Sequence, residues 1–87
     1  MNYIIQSELK KLSILTKEHF TPFQKKTINQ LIDAGEWGIA AEIISDILHE
    51  YEFPISSETY QLIKKVSLDL NLEDATWSDL SSQVVKQ

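Results

Sequence analysis

The stretch Thr21–Tyr51, TPFQKKTINQLIDAGEWGIAAEIISDILHEY, decides the fold. Thr21-Pro22-Phe23-Gln24 is a helix start: Thr21 caps free N–H groups, Pro22 suits the first helical position and Gln24 completes a capping box. Phe23, Ile28, Leu31 and Ile32 then recur at helical spacing until Gly35, the natural stop. A further helix is expected from about Glu36 to Tyr51. Its apolar side gathers Ile39, Ala40, Ile43, Ile44, Ile47, Leu48 and Tyr51, while Glu42, Ser45, Asp46, His49 and Glu50 fall opposite. Three isoleucines four residues apart have the period of a helix and not of a strand.

Working outward, Tyr3 to His19 places Ile5, Leu9, Leu12 and Leu15 on one face, which predicts a first amphipathic helix. After Tyr51, the sequence Glu52-Phe53-Pro54-Ile55 breaks the chain, because Pro54 pushes Phe53 into an extended conformation. Ser56 or Ser57 caps a fourth helix to about Asn71, with Tyr60, Ile63, Val66 and Leu70 inward. A short helix is expected around Trp77 within Leu72–Leu80, capped by Asp74, and Val84 to Gln87 is expected to fray. The predicted architecture is all-α: one domain over residues 1–87, a compact bundle of four helices plus a short fifth C-terminal helix.

Composition narrows the function. Eighty-seven residues with 43% hydrophobic content support one modest core. With no Cys, there is neither disulfide nor thiolate chemistry. No secretory signal or membrane-length apolar run is seen, which predicts a cytoplasmic protein with no membrane partner. Arg is absent and the net charge is −5, which argues against direct nucleic-acid binding.

Catalytic constellations are poorly supplied. His19 and His49 are the two imidazoles, and no strand-turn-helix elbow presents a serine. Glu42, Asp46 and His49 share a helical face, yet three mixed ligands on one helix make a weak metal signal, so no metal or cofactor is expected. A helix-turn-helix reading fails because its recognition helix would show Glu42, Asp46 and Glu50 to phosphates. An enzyme is not expected.

The charge distribution is the informative feature. Residues 1–30 hold five Lys against Glu8 and Glu18, whereas between Lys26 and Lys64 there are seven acids and no base: Asp33, Glu36, Glu42, Asp46, Glu50, Glu52 and Glu58. Glu42/Asp46 and Asp46/Glu50 are like-charge pairs at i, i+4, each unfavourable by about 0.2–0.5 kcal/mol. Asp46, Glu50 and Glu52 also crowd a helix C-terminus, where the dipole favours cations. A solubility face is the plain reading of most acidic stripes. This one opposes both local rules, so Glu42, Asp46, His49, Glu50 and Glu52 are candidate contacts for a basic partner, with Tyr51 and Phe53 as aromatic anchors.

Leu31-Ile32-Asp33-Ala34-Gly35-Glu36-Trp37-Gly38, then Glu50-Tyr51-Glu52-Phe53-Pro54-Ile55-Ser56, Tyr60-Gln61-Leu62-Ile63-Lys64-Lys65 and Trp77 resemble the MafI-like immunity proteins of bacterial polymorphic toxin systems. The resemblance covers roughly residues 28 to 80, and the first helix adds little. It implies an antitoxin-like binder of a cognate toxin domain, such as a nuclease delivered by contact-dependent growth inhibition. It assigns no binding residues, since immunity proteins diverge with their toxins. The expected partner is therefore a basic, tRNase-like ribonuclease domain whose phosphate-binding cleft an acidic helix would fill. The alternative is a helical adaptor that sequesters another protein through an apolar groove. Short bundles with few stabilising devices often dimerise, so a homodimer stays open.

Overall fold

The computed structural model describes residues 3–85. Among them run α1 (Tyr3–Leu15), α2 (Pro22–Asp33), α3 (Trp37–Glu50), α4 (Ser57–Asp69) and the short α5 (Ala75–Ser78). Two 3-10 turns, Lys17–His19 and Ser81–Gln83, complete the order. The expected all-α bundle of four helices and a short fifth is what forms. α1 packs on α2, α3 and α4, α2 pairs with α3, and α5 leans on α4 and α3.

Each boundary has a local cause. The capping box of α2 forms as its residues dictate: Gln24 N–H donates to Thr21 Oγ1 at 3.1 Å, and Thr21 N–H donates to Gln24 Oε1 at 2.9 Å. Ser56, rather than Ser57, caps α4 by accepting from Thr59 N–H at 3.1 Å. α1 ends earlier than His19 because buried Thr16 turns its hydroxyl onto Leu12 O at 2.8 Å and leaves helical geometry. Asp74 makes no side-chain cap, since it already has helical backbone angles; its carbonyl accepts from Trp77 and Ser78 N–H instead.

Helices α2, α3 and α4 close with the same device. In each, the residue after the C-cap takes positive φ and two reversed hydrogen bonds cover the last carbonyls, a Schellman motif. Gly35 (φ 80°), Glu52 (φ 50°) and Asn71 (φ 57°) hold these positions. The outer bonds, spanning five residues, are Glu36 N–H to Leu31 O at 2.9 Å, Phe53 N–H to Leu48 O at 3.1 Å and Leu72 N–H to Ser67 O at 2.9 Å.

Leu9, Leu12, Ile28, Ile32, Ile44, Leu48, Ile63, Val66 and Leu80 fill the centre. Small polar residues, Ser13, Thr16, Ser45, Thr59 and Ser67, are buried beside them and let neighbouring helices approach closely. Glu8–Lys65 at 2.8 Å and Lys11–Glu58 at 3.2 Å run in opposite chain directions, so α1 and α4 are antiparallel. Hydrogen bonding to Glu8, then to Asp69, raises the Lys65 pKa above its ordinary value.

The C-terminal segment departs from expectation. Val84 and Val85 do not fray: Ile55 and Val84 form an isolated parallel bridge, with Ile55 N–H to Gln83 O at 3.0 Å and Val85 N–H to Ile55 O at 2.9 Å. Lys86 and Gln87, the rest of that expected frayed end, lie outside the described residues.

Candidate binding face

α3 begins at a hinge pinned by an indole. Trp37 Nε1–H donates to Ile32 O at 3.1 Å, tying the first turn of α3 to the last of α2. From there the helix presents Glu42, Asp46, His49 and Glu50 to solvent, and Glu52 follows on the C-terminal turn, also exposed. The candidate acids therefore share one accessible face.

The seven acids are not equivalent. Asp33 pairs with Lys10 at 2.8 Å and Glu58 with Lys11 at 3.2 Å, so α1 supplies cations that the local sequence lacks. The run is thus compensated at both ends by residues far away in the chain. Glu36, Glu42, Asp46, Glu50 and Glu52 make no ion pair with any described residue. Within the run the unpaired charge lies on α3 and its flanks; outside it, exposed Glu73, Asp74 and Asp79 also make no ion pair with a described residue.

Helix α3 is also rotated from the predicted setting. Ser45, expected outward, is 2% exposed, while Ile39 and Tyr51, expected inward, are 47% and 60% exposed. The buried positions are Ala40, Ala41, Ile44, Ser45 and Leu48. Their centre lies roughly 80° from that of the apolar residues, at about 100° per residue. Ala41 and Ser45 are small side chains on the side that turns inward, and a Cβ on Gly38 beside them would stand in ordinary contact with Leu72 Cδ2 at 3.7 Å.

At its C-terminal end the face carries a cluster of rings. Tyr51 and Phe53 lie 5.7 Å apart between centroids, and Phe53 stacks on His19 at 4.4 Å with 22° between planes. Tyr51 is exposed and Phe53 half-buried, as suits an anchor and its support. His19 is largely covered under Phe53. Gln83 fixes this turn from the other side. Its Nε2 donates to Leu48 O at 2.7 Å and to Phe53 O at 2.9 Å. Neither contact was legible in sequence, because nothing local marks a partner thirty or more residues away.

Other chemistry finds little purchase. Among the described residues no group of three or more His, Asp or Glu could hold a metal ion. A cleft of about 70 Å³ opens between the Lys17–His19 turn and the α3–α4 connection, lined by Leu15, Glu18, His19, Ser56 and Thr59 among others. That is below the roughly 300–1,000 Å³ of usual small-molecule sites. No helix among the described residues is long and apolar enough to cross a membrane.

The fold and the face together define a class: a small all-helical protein with an exposed, unpaired acidic helix ending in aromatic residues. Comparison with family models, curated proteins and solved structures finds no match.

Proposed function

We propose that this chain is an immunity protein, which binds and neutralises a basic toxin domain by presenting the outer face of α3. One observation carries the reading: Glu36, Glu42, Asp46, Glu50 and Glu52 are exposed and have no cation within the described fold. Such a face opposes its own helix energetics and is relieved when an external cation arrives. A ribonuclease, which needs a basic cleft for phosphates, is the best-fitting partner, and a tRNase of a contact-dependent growth inhibition system fits the resemblance to MafI-like immunity proteins. The chain acts by occupancy and needs no reaction of its own.

The test is co-expression with a basic nuclease toxin domain whose toxicity the wild type suppresses, comparing the wild type with Glu42→Lys plus Asp46→Lys. The reading expects the double variant to fold and fail to protect. Protection at the wild-type level would show that the face is wrong. The runner-up, an adaptor that sequesters a helical partner through apolar contacts, draws on exposed Ile39 and Tyr51. It expects association rates that scarcely change with salt.

A further inference from the structure

Two ridges run side by side along the outside of α3. Ile39, Ile43, Ile47 and Tyr51 recur every four residues, and so do Glu42, Asp46 and Glu50. Each isoleucine has an acid three positions ahead: Ile39 with Glu42, Ile43 with Asp46, Ile47 with Glu50. Residues three apart on a helix are surface neighbours, about 5–6 Å between Cβ atoms. The apolar ridge is half-buried in its middle and open at both ends, where Ile39 and Tyr51 are 47% and 60% exposed. At 1.5 Å per residue it spans about 18 Å.

We propose that the apolar ridge is a docking surface for an amphipathic helix on a protein partner, one whose own apolar row is bordered by Lys or Arg. The proposal rests on the reading that the partner is basic, and it adds what that partner must bring besides charge. The acidic ridge by itself would accept any polycation, and the apolar ridge by itself any amphipathic helix. Joined at a spacing of three residues, they select an element carrying both. Ridges four residues apart are the ones that interlock in the commonest helix–helix packing. Seating an apolar row also expels water beside the carboxylates and strengthens each ion pair that forms there. A second copy docking through the same face would bring two acidic ridges together, and an anionic lipid surface would be repelled.

Two synthetic peptides of about four turns test this. One carries Leu in a helical row flanked by Lys; the control keeps every Lys and replaces each Leu with Gln. Methyl NMR on the full chain reads the δ-methyls of Ile39, Ile43 and Ile47, and titration gives the affinity. The Leu–Lys peptide should move those methyls and bind at least tenfold tighter than the control. Ile39→Ser, at an exposed site, should weaken it roughly fivefold while leaving the circular dichroism unchanged. Equal binding of the two peptides, or shifts centred away from α3, would overturn the proposal and leave the charge reading standing. Undiminished binding of both peptides by Glu42→Lys plus Asp46→Lys would instead overturn the basic-partner reading, and the proposal with it.

Discussion

Replacing Glu52 by Gly should stabilise the protein and weaken its binding. Glu52 closes α3 with φ at 50°, a conformation in which its Cβ crowds the backbone. For a residue other than Gly this costs roughly 1–2 kcal/mol, of which Gly returns about 0.5–1 kcal/mol through the greater freedom of its unfolded chain. The net gain from relieved strain is about 0.5–1 kcal/mol. A domain of this size gains about 4–8 °C in Tm for each kcal/mol, so this gain should raise Tm by roughly 2–8 °C. The two other helix ends supply internal controls. Asn71→Gly should gain less, under about 0.5 kcal/mol, because Asn tolerates the left-handed region. Gly35→Ala should lose about 1 kcal/mol; no atom lies within 4 Å of its added Cβ, so the loss is one of backbone conformation. Urea and thermal denaturation measure all three. Glu52→Gln separates charge from strain: it should gain only the roughly 0.3–1 kcal/mol of an anion removed from a helix C-terminus, the further gain of Glu52→Gly over it being the strain, and both should weaken partner binding. A Glu52→Gly variant no more stable than the wild type, or a stabilised Gly35→Ala, would refute the reasoning.

Other outcomes follow from the packing. Ser45→Ala should stabilise by about 1 kcal/mol, since the buried Ser45 Oγ has no hydrogen-bond partner and Ala is the better helix former; a loss in urea denaturation would contradict the inward setting of Ser45. Gln83→Ala leaves Leu48 O and Phe53 O without their side-chain donor and should cost about 1–3 kcal/mol, with faster hydrogen exchange at Ile55 N–H. Exchange unchanged at Ile55 would show that Gln83 does not hold the turn. Lys65 is held above its ordinary pKa by Glu8 and Asp69, so its contribution to stability is full below the unfolded-state pKa of about 10.4 and is lost as pH rises through the folded value. Alkaline unfolding midpoints of the wild type and Lys65→Met should converge there, and a constant offset would disprove the coupling.

The helices were legible because their signals are local. Thr21 and Gln24 specify their own capping box, Ser56 its own cap and Gly35 its own stop. The rotation of α3 was not legible, since apolar spacing shows which residues prefer burial but not which neighbour comes closest. Here the small Ala41 and Ser45 are buried while Ile39 is exposed. The acidic run was readable as a stripe, but which of its members find cations was not: Lys10 and Lys11 reach Asp33 and Glu58 from another helix and leave the candidate acids unpaired. The same limit hid His19 beneath Phe53, and Gln83 behind the turn. The αL positions of Glu52 and Asn71 went unmarked because neither is Gly.

The central claim is that the unpaired carboxylates of α3 capture a basic protein. It is tested most directly by the association rate of this chain with its proposed partner, a basic nuclease toxin domain, measured at low and at high salt. The account predicts fast association, approaching about 10⁸ M⁻¹s⁻¹ at low salt, that falls steeply as the screening length shortens. Glu42→Lys with Asp46→Lys should slow it many-fold at low salt and little at high salt. A double variant that associates at the wild-type rate in both conditions would contradict the account.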